Sequence, residues 1–250
     1  MLVYEYPFNE TVRSILRLEY LFQRLEVFLQ SDNPEHHLTA ISLMFDIGDV
    51  TSRADLKSSL LKELERQRAL LASFRTEASV NSAALELTIN DLEDCLSKLN
   101  QLVGRPNTLI NESEWLGIIR SRLSVPGGTS PVDVPSFYCW QQLPAIQRRE
   151  QLIAYTPAFV DWKTTCNLYL KLLRQAGEAQ GVFSESGSFQ QMLSGRTYQL
   201  IRVGIEEQDL IPEISANKYM LWIRFLQNST TGKPAAITHS LNFHLTLCNL

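Results

Sequence analysis

Ser240-Leu241-Asn242-Phe243-His244-Leu245-Thr246-Leu247 alternates apolar and polar side chains without interruption. Successive side chains of a strand point to opposite faces, so this stretch predicts a half-buried β-strand. Residues 198–205 and 219–226 are comparable, and residues 227–237, with Thr231-Gly232-Lys233, read as a loop joining the last two strands of an antiparallel sheet. Toward the N-terminus, residues 177–188 are rich in Gly and Ser, and before them the period changes to that of a helix. The expected fold class is therefore α+β, with a helical domain over residues 9–177. A C-terminal antiparallel β domain comes next, formed by residues 184–250 together with residues 1–8.

The N-terminal piece belongs to the β domain because residues 3–6 form a short aromatic alternation that stops at Pro7, a strand with no neighbour except the distant sheet. Asn9 is the natural N-cap of the first helix. In that helix Val12, Ile15, Leu16, Leu21, Phe22, Leu25, Phe28 and Leu29 recur at spacings of three and four, the buried stripe of a long element. Further helices are expected over 37–46, over 55–74 with Leu56, Leu60, Leu64 and Leu71 on one face, and over 82–102 with Leu85, Leu92, Leu96 and Leu99. Another spans 113–123 and is stopped by Pro126-Gly127-Gly128. Helix then resumes after Pro135, after Pro144, and over 157–175.

Eleven glycines in 250 residues lie below the usual frequency of about 7%, which suits a helix-rich chain. A net charge of −4 argues against general nucleic-acid binding, which needs clustered cations. Glu5, Glu10, Arg13, Arg17 and Glu19 break up any export signal, and no apolar run approaches the roughly eighteen residues of a spanning helix. A cytoplasmic protein without membrane insertion is expected. Cys95, Cys139, Cys166 and Cys248 are too dispersed for a zinc ribbon or redox pair and are expected to be reduced and buried.

Catalytic motifs are missing from the sequence. Thr231-Gly232-Lys233-Pro234 lacks the upstream glycine of a phosphate-binding loop and carries proline where the Ser or Thr belongs, so it reads as a turn. His36 and His37 are adjacent, diverge on a helix, and read as a solvated helix start rather than a metal site. His244 has Asn242 and Thr246 beside it and no carboxylate, and Glu206, Glu207 and Asp209 read as a solvated turn. The expectation is a protein that is not an enzyme and uses no cofactor.

Arginine is more informative. Arg202 and Arg224 fall on the polar phase of their strands, and Trp222 shares that phase with Arg224. The pair reads either as a binding surface able to stack on a peptide and clamp its carboxylates, or as a solvated strand face with a packed Trp. Arg53 and Lys57 lie four apart on one helix face. Arg120 and Arg122 close a helix, where they could meet a partner or simply offset the helix dipole.

Tyr6-Pro7-Phe8-Asn9-Glu10, followed by Arg13 and Leu16-Arg17-Leu18-Glu19-Tyr20-Leu21, resembles the opening of the ZapD family. The resemblance continues at Leu60-Leu61-Lys62-Glu63-Leu64 and at Arg122-Leu123-Ser124-Val125-Pro126-Gly127-Gly128. It extends through Asp133, Pro135, Trp140, Leu143 and Pro144 to Ile211-Pro212-Glu213-Ile214-Ser215 and Ile223-Arg224-Phe225. It implies a homodimeric cell division factor, recruited to mid-cell, that binds the C-terminal tail of FtsZ through basic residues and bundles its filaments. The implied basic positions are Arg17, Arg53, Lys57, Lys218 and Arg224. Tyr138 stands where family members can carry His, and Met220 where they can carry a further Arg. A nucleic-acid-binding regulator and an enzyme with a dispersed site are the competing classes. The first requires a contiguous basic stripe, the second a deep pocket with perturbed acids or histidines.

Overall fold

The computed structural model describes residues 1–102 and 104–249. The chain divides into two compact units, one comprising Ser14–Tyr169 and the other Met1–Arg13 with Leu170–Leu250. The helices are α1 (Glu10–Leu29), α2 (Pro34–Thr51), α3 (Ala54–Ser73), α4 (Ser82–Gln101), α5 (Thr108–Glu112), α6 (Glu114–Leu123), α7 (Pro135–Gln141), α8 (Ala145–Ile153) and α9 (Pro157–Gln175). The strands are β1 (Leu2–Pro7), β2 (Gln180–Ser184), β3 (Ser188–Met192), β4 (Leu200–Ile205), β5 (Leu210–Ala216), β6 (Met220–Gln227), β7 (Ala235–Ala236) and β8 (Leu241–Cys248). The α+β class expected from the periodicities is what the structure contains.

Local chemistry sets the helix starts. Asn9, Asn33, Asn81 and Ser113 each accept a hydrogen bond from a first-turn amide, satisfying donors that no helical carbonyl can reach. Helix α2 is apolar nearly all round and runs through the middle of the unit, with Ala40, Ile41, Leu43, Met44, Phe45 and Ile47 buried. Asn107 lies so close to Gly48 that a Cβ there would fall 2.7 Å from the Asn107 Cβ. The leucine stripes of α3 and α4 face one another, since these two helices pack along their length. In the stop after α6, Gly127 has a φ of +69°. A Cβ on Gly128 would lie 2.6 Å from the Arg122 carbonyl, so only glycine allows this turn.

His37 departs from expectation. Helix α2 begins at Pro34, earlier than the periodicity suggested, so His37 falls on its inner face and is fully buried. There Arg148, itself buried, donates from Nε to His37 Nδ1 at 3.0 Å. Its other donors go to the carbonyls of Gln141 at 2.9 Å, of Asp32 at 2.5 Å, and of Leu143. One guanidinium thus ties the α1–α2 link to the α7–α8 turn.

The other unit is a two-layer β structure. One sheet has the order β1-β4-β8-β2 and the other β3-β6-β5, with β7 on β6, and every pairing is antiparallel. Ile201, Val203 and Ile205 of β4 and Leu241, Phe243 and Leu245 of β8 share one core with Leu221, Ile223 and Phe225 of β6. Phe243 meets Phe225 and Phe189 across the layers, with ring centroids 5.0 and 5.3 Å apart. Two expectations change here. The segment 227–237 does not join strands of one sheet; it passes from β6 in one layer to β8 in the other. The Gly/Ser-rich segment is not only a connector, because it contains β2 and leads through Gly187, with φ of +67°, into β3.

Removing the Arg148 guanidinium strands four acceptors, the buried His37 Nδ1 and three partly buried carbonyls, so Arg148→Met should lower the unfolding free energy by about 3 kcal/mol, read by urea denaturation. Burial, and then the Arg148 charge, lower the His37 pKa below its ordinary 6.5. The unfolded chain therefore takes up a proton before the folded one, and stability present above about pH 6.5 declines as the pH falls below it. Urea midpoints at pH 7.5 and 5.5 should show a smaller acid loss for His37→Gln than for the native chain.

Candidate functional site

Strand β6 builds the most complete surface among the candidate residues. Its alternate side chains Leu221, Ile223 and Phe225 enter the core, which forces Met220, Trp222 and Arg224 outward. The register places Trp222 between Gln190 of β3 and Ser215 of β5, and Arg224 between Ser188 and Glu213. Arg224 Nε donates to Glu213 Oε2 at 2.8 Å. Both partners are more than half exposed, at 59% and 55%, so this ion pair is weak and exchangeable. Trp222 is 37% exposed, and Met192, opposite Met220, is 73% exposed. In the β5–β6 turn, Asn217 Oδ1 accepts from the amides of Tyr219 and Met220, and the Lys218 ammonium lies 4.7 Å from the Tyr219 ring centroid. The result is a sheet face carrying apolar side chains next to two cations, Lys218 and Arg224.

The candidates of the helical unit do not form one patch. Arg17 is exposed on α1. Arg53 is the N-cap residue of α3 and Lys57 lies one turn on, its Nζ donating to the Leu102 carbonyl at 2.8 Å. Both line a cavity together with Arg105, which no sequence pattern singles out. Arg105 lies 48 positions beyond Lys57, and only the packing of α3 on α4 brings it there. Arg120 is held internally: its Nη2 reaches both Asp49 oxygens at 2.7 and 2.6 Å, and its guanidinium stacks over Phe45 at 5.1 Å. Arg122 stands exposed in the last turn of α6.

Burial raises the thiol pKa of Cys95 and Cys166, and raises that of Cys248 to about 11, so these three are protonated and poorly nucleophilic near neutral pH. Cys139 is exposed, contrary to expectation, because it occupies the outer side of α7 between the inward-facing Phe137 and Trp140. A cavity of about 650 Å³ is lined mainly by Trp115, Trp140, Leu143 and Tyr155. Trp140 Nε1 donates to Gln151 Oε1 at 2.8 Å on its wall. Among the described residues no group of three or more His, Cys, Asp or Glu side chains could hold a metal ion, and no helix is long and apolar enough to cross a membrane.

Comparison with known proteins gives a consistent result. Residues 16–224 match the ZapD family model, described as "Cell division protein". The cell division protein ZapD of Cupriavidus taiwanensis is 46% identical over 251 residues, covering the whole of both chains. That of Cupriavidus necator is 45% identical over the same length, again with both chains fully covered.

The exposures separate surface cations from structural ones. Arg224→Gln and Arg122→Ala should each leave the unfolding free energy, read by urea denaturation, within about 0.5 kcal/mol of the native protein. Arg120→Ala, which loses the Asp49 fork and the Phe45 stack, should cost about 1 kcal/mol.

Proposed function

Because the chain belongs to the ZapD family of cell division proteins, we propose that it binds the C-terminal tail of FtsZ and cross-links FtsZ filaments into bundles. The observation that supports this most directly is the outward pair Trp222 and Arg224 on β6. A strand in the middle of a sheet holds both side chains at fixed spacing, so little order is lost when a peptide docks. Arg224 can exchange Glu213 for a carboxylate of the peptide, since the existing pair is exposed and weak. Trp222, with Met192 and Met220, offers area for an apolar side chain, and Lys218 adds a second charge at the turn. Arg17, Arg53 and Lys57 supply further cations on the helical unit, and the exposed Arg122 can join them. Met220 stands where a family member can carry Arg, which shifts this face from charge toward apolar contact.

Bundling requires at least two tail sites per particle. A twofold homodimer presents two copies of the same surface, and each can hold a different filament. A micromolar contact, about −8 kcal/mol, suffices when tails repeat along a polymer and raise the effective concentration. Such a factor acts in the cytoplasm at the mid-cell division site and has no need of catalysis or a cofactor. The nucleic-acid reading is disfavoured by the net charge of −4.

Low-speed sedimentation of GTP-assembled FtsZ tests the proposal. Both proteins should pellet together, pelleting should be lost with FtsZ lacking its C-terminal tail, and Arg224→Glu or Trp222→Ala should reduce it at least severalfold while the chain remains folded. Added salt should loosen the bundles. Equal pelleting with and without the tail would overturn tail recognition, and no pelleting in either case would overturn cross-linking.

A further inference from the structure

Helices α6, α7 and α8 border the cavity of about 650 Å³ in the helical unit, a volume within the range of small-molecule sites. Trp115, Trp140, Leu143 and Tyr155 supply most of its wall, and the exposed Ser136, Cys139 and Gln151 supply polar groups. No acidic or basic side chain lines it. Other clefts of the same unit are charged. The one between α1 and α9 holds the Glu26–Lys163 ion pair, the one beside α5 holds Arg105 and Asp161, and the one at the α2–α3 link holds Arg53, Lys57 and Arg105.

The aromatic wall is held in place by the protein itself. Trp140 Nε1 donates to Gln151 Oε1 at 2.8 Å, and Tyr155 Oη shares a hydrogen bond with Ser113 Oγ at 3.2 Å. With their polar ends engaged inside the protein, these two rings offer a ligand apolar surface. The buried Phe137 stacks on Trp140 with ring centroids 5.7 Å apart, and Trp115 lies 5.2 Å from Trp140. Arg148 pins the turn that carries Leu143 by donating to its carbonyl. Rings fixed in this way lose little freedom when a ligand enters. Gln151 spends its carbonyl on Trp140 and keeps its amide N–H groups as donors, and Ser136 adds a hydroxyl to the same wall.

We propose that this cavity is a binding site for a small uncharged aromatic molecule that carries a hydrogen-bond acceptor. The ligand ring packs against Trp115, Trp140 and Tyr155, where aromatic contacts add to the gain from apolar area buried. Gln151 Nε2 and Ser136 Oγ are the donors for its acceptor. A charged ligand would give up hydration against a wall with no opposite charge. None of the wall residues is among the cations assigned above to FtsZ, and the test contains no FtsZ, so the site and tail recognition can fail separately.

The test is a titration of the ¹⁵N-labelled full chain with benzyl alcohol, following the assigned indole Nε1–H resonances of its four tryptophans. Trp115 and Trp140 should shift saturably with a midpoint on the order of millimolar, while Trp162 and Trp222, which are not on the wall, stay in place. Cyclohexylmethanol, similar in size but without an aromatic ring, should bind about fivefold more weakly, and protonated benzylamine about tenfold more weakly. Ser136→Phe, which fills the cavity from an exposed position, should abolish the shift. As a readout on the native chain, benzyl alcohol should slow the reaction of Cys139 with a thiol reagent severalfold, the other three cysteines being buried. The site is overturned if the Trp115 and Trp140 shifts do not saturate, if Trp222 moves equally, if Cys139 reacts at an unchanged rate, or if a folded Ser136→Phe chain titrates like the native one. Equal binding of cyclohexylmethanol overturns the aromatic assignment, and equal or tighter binding of benzylamine overturns the uncharged one.

Discussion

The β unit depends on a pairing between the first residues of the chain and a strand far along it. Leu2–Pro7 runs antiparallel to β4, and at its centre Glu5 faces Arg202, 197 residues away in sequence. The Glu5 carboxylate accepts from Arg202 Nε at 3.0 Å and from Arg174 Nε and Nη2 at 2.8 and 2.7 Å. With Glu5 only 18% exposed, this is a charge held by two guanidinium groups in a partly dry setting, where losing one member would leave the others poorly solvated. The same strand sends the Tyr4 hydroxyl to the Leu210 carbonyl at 3.0 Å, linking one layer of the β structure to the other. Without β1, the edge of β4 would lose its partner and that layer boundary its clasp.

The helical unit solves its own linkage problem with a different cation. Arg148 has carbonyls and an imidazole for partners, so it neutralises nothing and instead satisfies backbone groups at two chain turns. Arg120 does something similar at the surface, gripping Asp49 of α2 from α6. Arginine in this protein therefore has two kinds of work. Buried or forked side chains fix the packing, whereas exposed ones such as Arg224, Arg122 and Arg53 stand where a partner can reach them.

That division explains why a strand is a good place for recognition. The inward residues of β6 are buried almost without remainder, so the position of Trp222 and Arg224 is set by the core beneath them, as the proposed tail binding requires. Their neighbours Gln190, Ser215 and Ser188 are small or uncharged, which leaves the face accessible. Outward side chains of such a strand can therefore change without disturbing the β core beneath.

Periodicity made most elements legible in the sequence. Val12, Ile15, Phe22, Leu25 and Leu29, the stripe from Leu56 to Leu64 and that from Leu85 to Leu99 are buried as the spacing required, whereas Leu16, Leu21, Phe28 and Leu71 are half-buried and Leu18, off the expected stripe, is fully buried; Asn9 caps its helix. The outward phase of Trp222 and Arg224 was equally readable, because alternation is a local property of a strand. Strand β2 was not legible, since its strand-favouring Val182 and Phe183 are too few to show an alternation within a Gly- and Ser-rich stretch, and it is the edge of β8 that holds it extended. Nor was the burial of His37, which depends on a guanidinium 111 residues away, or the meeting of Arg105 with Arg53 and Lys57. The sequence by itself determined most of the helices and the strands β1, β4, β6 and β8, and for most of them which side turns inward, because side-chain period and local capping act within a few residues. Only the tertiary structure decided which strands pair, which cations are consumed and which donors remain unpaired, because those outcomes depend on groups that the chain brings together from distant positions.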